Sequence, residues 1–276
     1  MKNIKNGAVS VGDTDMYYIS CGRGPKSLVV LPGLSDGIAT VKGKAMILSV
    51  PYKKFEEEFT VYMFSRKNKM PEGYSIEDMA EDQVKAMLSL GIKKACVMGV
   101  SQGGMIAQYI AINHPEVVEK LILAVTAPYA NDTVKNAVNG WIDMTKRDDY
   151  TELMTDTARK MYSDGYLKKN EKFFPLIAKF TKPKTYERFL INANAILHFD
   201  ARAKLSQISS PTLIMAGDND KTVGNDAPGE FSTAIADNEV SIYKGYGHGL
   251  HDESREFYDR VYSFCTDKKQ GSDFDV

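Results

Sequence analysis

Short apolar runs closed by turn residues alternate with stretches of helical periodicity along the first half of this 276-residue chain, and few folds accept that order. Ser27–Leu31 (SLVVL, ended by Pro32-Gly33), Thr60–Phe64, Ala95–Val100 and Val118–Thr126 each have the length and uniform apolar character of a strand buried on both faces. Between them, Ser75 reads as an N-cap with Asp78 three residues on. Ile76, Met79, Ala80, Val84, Met87 and Leu88 then recur at helical spacing up to Gly91. Gly103–Asn113 reads as the next helix, closed by His114-Pro115. Such alternation predicts an α/β fold with a mostly parallel sheet flanked by helices on both faces. Ahead of it, Ala8–Gly12 and Met16–Ser20 read as a hairpin-like start.

The rhythm breaks at about Pro128. From there to Ser210 the sequence offers no convincing strand, and Asn131–Lys146, Asp149–Tyr162, Asn170–Lys179 and Pro183–His198 read as amphipathic helices. Strands resume at Thr212–Ala216 and Glu239–Tyr243, before a closing helix near Glu253–Cys265 and a polar tail, 268–276, expected to fray. The helical insertion carries 14 Lys/Arg against 10 Asp/Glu, although the whole chain is nearly neutral at −1. A balanced charge gives no reason to expect nucleic acid or an anionic membrane as partner. No 18-residue apolar run is present, and the N-terminus has no secretory pattern, so a cytoplasmic protein is expected. Cys21, Cys96 and Cys265 are odd in number and widely spaced, which fits a reducing compartment better than a disulfide framework.

Gly99-Val100-Ser101-Gln102-Gly103 stands where a buried strand ends and a helix begins. That is the place of a strained turn that lifts a serine Oγ clear of a sheet, with flanking glycines where side chains would collide. Two other readings are a structural turn with a surface serine and a phosphate-cradling glycine turn. The second lacks a Gly-x-Gly-x-x-Gly and an acidic residue ending the next strand. A serine nucleophile needs a base, itself oriented by an acid. Of four histidines, His114 reads as a helix-end residue and His198 lies in the insertion. His248, bracketed by Gly247 and Gly249 after the last strand, is presented as a base would be, with His251 an ordinary neighbour. A His248/His251 metal pair has no evident third ligand. The acid is sought in Gly217-Asp218-Asn219-Asp220, where Asp218 reads as the turn-former, bonding backbone N–H groups two residues on, and Asp220 reaches further. Leu31-Pro32-Gly33-Leu34-Ser35-Asp36-Gly37 is either a plain strand-ending turn or a loop whose N–H groups receive an oxyanion.

Serine after one strand, acid after a later one and histidine after the last is a chain order that resembles the α/β-hydrolase fold family. Gly99–Pro128, Pro211–Asp220 and Gly245–Gly249 are similar to the single-lid carboxylesterases and enol-lactonases, over nearly the whole chain from about Met16 to Phe264. The resemblance implies a hydrolase core of residues 1–128 and 211–276, with residues 129–210 as a helical lid. It implies Ser101 as nucleophile, Asp220 as acid, His248 as base, and the Leu34 and Gln102 backbone N–H groups as oxyanion hole. It further implies a small-molecule ester, thioester or lactone substrate and neither cofactor nor metal, with monomer and homodimer both open. Acyl transfer, perhydrolysis, carbon–carbon cleavage and a non-catalytic receptor are alternatives on the same constellation. One departure stands out: Pro32 occupies a position where relatives usually have histidine, which removes a hydrogen bond that braces the loop. Trp141, Met144, Met154, Met161, Phe173, Phe174, Phe189 and Phe199 give the insertion bulky apolar groups that either pack among themselves or line a pocket above Ser101.

Overall fold

A computed structural model describes residues 1–268, so of the tail 268–276 all but Lys268 lies outside the described residues. Eight strands form one sheet: β1 (Lys5–Val11), β2 (Thr14–Gly22), β3 (Lys26–Leu31), β4 (Phe59–Lys67), β5 (Ala95–Val100), β6 (Val118–Ala124), β7 (Thr212–Gly217) and β8 (Asn238–Tyr243), in the order β1-β2-β4-β3-β5-β6-β7-β8. The first two make the expected hairpin, with Val11 opposite Thr14, and β2 also runs antiparallel to β4. From β4 across to β8 every pairing is parallel. The central strands are apolar throughout because both faces are covered. Val29 and Leu31 point into one core, Leu28 and Val30 into the other.

Helices α2 (Ile76–Ser89), α3 (Gln102–Asn113) and α9 (Ala227–Ala234) cover the first face. The second face is covered by α11 (Arg255–Thr266) and the 3-10 segment Val50–Phe55. The start of α2 is a capping box: Ser75 Oγ accepts the Asp78 N–H, and Asp78 Oδ2 accepts the Ser75 N–H, both at 3.0 Å. The sequence reading placed nothing between Leu34 and Glu58, where the chain forms 3-10 turns and the one-turn helix α1 (Ala45–Leu48). It also passed over α9, eight residues long with Pro228 in its first turn.

Between β6 and β7 lie five helices: α4 (Asp132–Lys146), α5 (Tyr150–Met161), α6 (Asp164–Asn170), α7 (Phe174–Thr181) and α8 (Glu187–Leu197). The helix expected over Asn170–Lys179 begins only at Phe174, as α7, after a 3-10 turn over Glu171–Phe173, and α6, which lies almost wholly ahead of that range, was not expected. Proline tolerates only the first turn of a helix, so Pro175 forces a new start at Phe174. The closing helix expected near Glu253–Cys265 is α11, Arg255–Thr266, and extended Ser254 (φ −102°, ψ 121°) separates it from the one-turn α10 (Leu250–Glu253). Extended pairing in the insertion is limited to one isolated bridge, Tyr129 with Asp200. None of the helices is long and apolar enough to cross a membrane among the described residues.

Candidate active site

Ser101 follows the last residue of β5 and precedes α3. Its backbone takes φ 55° and ψ −121°, a region that L-residues avoid and that stores strain. The turn is held from behind, where the Thr126 hydroxyl donates to the Ser101 carbonyl at 2.7 Å. The neighbouring glycines are sterically required: a Cβ at Gly103 would overlap the Leu31 carbonyl of β3, and one at Gly99 would overlap the Gly103 backbone. The α3 N-terminus therefore sits directly against the carboxyl end of β3. Gly33 closes the same space, for a Cβ there would lie 3.2 Å from Ser101 Cβ.

Asp220 and His248 come from the loops after β7 and β8, adjacent parallel strands whose ends emerge on the same side as β5. His248 Nδ1 lies 2.8 Å from Asp220 Oδ2, and His248 Nε2 lies 2.9 Å from Ser101 Oγ. A carboxylate only accepts, so Nδ1 carries the proton and Nε2 is the acceptor for the Ser101 hydroxyl. Both Asp220 and His248 are buried, which keeps water from competing for either bond. The structure thus brings together all three residues singled out in the sequence.

Asp220 reaches His248 as expected, but the turn-forming role expected of Asp218 also falls to it. Asp220 is the turn-former: its Oδ1 accepts the Thr222 and Val223 N–H groups at 2.8 and 2.9 Å, which leaves Oδ2 aimed at the imidazole. Asp218 instead reaches across to the β8 loop, where its Oδ1 accepts the Gly245 N–H at 2.7 Å. The β8 loop is also tied to the insertion, where the Gly249 N–H donates to the Met161 carbonyl at 2.7 Å and Glu253 Oε1 accepts the Ser163 N–H at 3.0 Å.

Leu34 and Gln102 open the two turns that meet at Ser101, and neither backbone N–H has a hydrogen-bond acceptor among the described residues. Buried N–H groups are rarely left so. The Gln102 side chain is fully engaged, with Oε1 accepting from Arg66 Nη2 at 2.8 Å and Nε2 donating to the Asn192 carbonyl of α8 at 2.9 Å.

Sequence reasoning missed a buried charged cluster behind these turns. Asp36 Oδ2 accepts the Arg66 N–H at 3.0 Å and pairs with Arg188 Nη2 at 2.7 Å. Arg188 Nε donates to the Asp36 carbonyl, and its Nη1 and Nη2 donate to the Lys67 and Arg66 carbonyls. Arg66 is 1% exposed, and burial pushes its guanidinium down to about 10. The loop that Pro32 cannot brace is therefore fixed from α8 and the end of β4. No sequence signal announces this, since Asp36 looks like an ordinary turn residue and Arg188 like a solvated helix charge.

The remaining histidines lie elsewhere. His114 caps α3 beside Glu81, and His198 Nδ1 faces the Asn194 carbonyl at the end of α8. His251, on α10, packs against the Phe257 ring, and burial pushes its imidazole down. Among the described residues no group of three or more His, Cys, Asp or Glu could hold a metal ion. Of the bulky insertion residues, Trp141, Phe174, Phe189 and Phe199 are buried, whereas Phe173 is exposed.

A model of the alpha/beta hydrolase fold matches residues 62–254. A Serratia proteamaculans protein provisionally named carbamate hydrolase RutD is 24% identical over 212 residues, which cover 71% of this chain and 74% of the relative. Among solved structures, MGS-M2, an alpha/beta hydrolase enzyme from a deep-sea metagenome library of the Medee basin, superposes with a TM-score of 0.81 at 18% identity. That match covers 98% of this chain and 100% of the other. The enol-lactonase of Burkholderia xenovorans LB400 gives 0.79 at 20% identity, covering 94% and 100%.

Proposed function

Because the chain belongs to the alpha/beta hydrolase fold family, we propose that it is a serine hydrolase that cleaves a small to medium carboxylic ester, thioester or lactone. The observation that carries this reading is the single hydrogen-bonded run from buried Asp220 through His248 to a serine held in a strained turn. In the reaction, Ser101 Oγ attacks the substrate carbonyl carbon as its proton passes to His248 Nε2. Asp220 holds the imidazole in the tautomer that accepts that proton and stabilises the imidazolium formed. The carbonyl oxygen, now an oxyanion, is received by the Leu34 and Gln102 N–H groups and by the positive end of α3. Collapse of the tetrahedral intermediate expels the alcohol or thiol, which takes the proton from His248, and leaves an acyl ester on Ser101. Water then attacks this ester with His248 as base, releasing the acid and restoring the serine.

In this reading residues 129–210 form a lid over the site, their position set by Arg188 of α8 on the Leu34 loop and by the Met161–Gly249 bond. The likeness to an enol-lactonase is in keeping with a lactone among the substrates. Three buried thiols, with burial pushing Cys21 up to about 11, fit a protein at work in the reducing cytoplasm.

The test is labelling with a fluorophosphonate and an ester panel of graded acyl length. Wild type is expected to label at Ser101 and to turn over at least one ester, releasing acid rather than transferring the acyl group to an added alcohol. A protein that neither labels nor hydrolyses any member, or labels at another residue, overturns the assignment.

A further inference from the structure

Helix α7 buries one stripe of itself and exposes another. Phe174 and Ala178, four residues apart, are buried where the helix packs against α5. Phe173, Leu176, Ile177 and Phe180 follow the spacing i, i+3, i+4, i+7 and so form a second apolar stripe about a third of a turn away. This stripe faces water: Phe180 is 78% exposed, Leu176 57%, Phe173 47% and Ile177 43%. The inward face needs none of these side chains, and surfaces seldom keep four large apolar groups together without an occupant.

The surrounding charge is one-sided. From Asp164, the start of α6, to Lys184 the chain has six lysines, all exposed, against two acidic residues, Asp164 and Glu171, the second paired with Arg159. Lys182 is matched by Asp148, leaving Lys168, Lys169, Lys172, Lys179 and Lys184 around the stripe. The near-neutral total charge, from which no membrane partner was expected, hides this local field.

We infer that the α6–α7 face is a docking surface for an anionic lipid bilayer, on which α7 lies in the interface plane. A convex stripe of Phe, Leu and Ile rimmed by lysine is the build of an interfacial helix: the apolar groups enter the headgroup boundary and the ammonium groups meet lipid phosphates. A second copy of this chain fits less well, because an isologous contact would set the same lysines against one another. The inference does not depend on the catalytic reading, since none of these residues belongs to the site around Ser101.

The experiment is sedimentation of the full chain with vesicles of equimolar phosphatidylglycerol and phosphatidylcholine, and with pure phosphatidylcholine. The comparison protein is the surface double variant Leu176→Ser/Phe180→Ser, with circular dichroism as the check of fold. Wild type is expected to pellet with the anionic vesicles, to bind pure phosphatidylcholine weakly, and to be released by salt. The double variant is expected to bind about tenfold or more weakly. Absence of binding to the anionic vesicles, or undiminished binding of the folded double variant, overturns the proposal. So does a wild-type dimer in sedimentation velocity that the double variant converts to monomer, since the stripe would then cover a second copy.

Discussion

Ser101 occupies a backbone conformation natural to glycine, and this sets up a contrast between two inactive variants. Ser101→Ala removes the nucleophile but keeps the strain, because alanine retains Cβ at φ 55°. Ser101→Gly removes both. The glycine variant should unfold at higher urea than the alanine variant, by about 1 kcal/mol. Both should fall to the residual rate that binding and the oxyanion donors sustain, on the order of 10³–10⁴ over water. Near wild-type turnover in either would exclude Ser101 as nucleophile. The aspartates give a second contrast. Asparagine at 220 keeps an acceptor for Thr222 and Val223 but loses the carboxylate that fixes the His248 tautomer, so Asp220→Asn should cost about 10⁴ in turnover. Asparagine at 218 can still accept the Gly245 N–H, so Asp218→Asn should leave turnover within about threefold. Assays of kcat on one ester suffice, and an inactive Asp218 variant beside an active Asp220 variant would reverse the assignment.

Of the strands that carry the site, β3, β5 and β7 could be read from the sequence because a doubly covered strand must be apolar at every position and must stop where a turn residue stands, whereas the edge strand β8 showed only as a short run before a glycine-rich loop. β3 ending at Pro32-Gly33 and β7 ending at Gly217 are such cases. Ser101, Asp220 and His248, which the structure brings together, could be picked out because each follows a strand end that could be placed. What escaped was the contact between α8 and the Leu34 loop, since Arg188 and Asp36 are 152 positions apart and each side chain is ordinary in its local setting. Its energetic weight can be measured. Truncating Arg188 removes four hydrogen bonds and leaves the Asp36 carboxylate, 1% exposed, without its cation. Arg188→Ala should therefore destabilise the fold by roughly 3–5 kcal/mol. Adding Asp36→Asn removes the unpaired charge, so the double variant should recover part of that loss in urea unfolding. Strict additivity of the two changes would mean that the pair is not coupled and that the loop is braced by other bonds.

Over the whole molecule, each of the two cores encloses a buried phenol, and alkaline pH makes that burial measurable. Tyr52 sits in the core beneath α11 and Tyr74 in the opposite one, each 3% exposed. Burial pushes both phenols well above the ordinary tyrosine value of 10. Tyr258 adds to this at Tyr52, and the bond to Asp82 adds to it at Tyr74. Well below pH 10 the folded and unfolded chains hold these two protons equally, so this pair lends stability no pH dependence there. Above it the unfolded chain releases them while the folded chain does not, and a group whose folded pKa is raised contributes stability that is lost as pH rises. Each phenol should then remove about 1.4 kcal/mol per pH unit, giving the pair a slope near 2.7. Lysines titrate in the same range, so the wild-type curve alone does not isolate the phenols. The difference between wild type and Tyr52→Phe does, because phenylalanine fills the same space and carries no proton. The urea midpoint of this variant should fall less steeply from about pH 10 to 11, by roughly half the phenol contribution. Equal slopes would show that the Tyr52 hydroxyl ionises in place and that water reaches the core beneath α11.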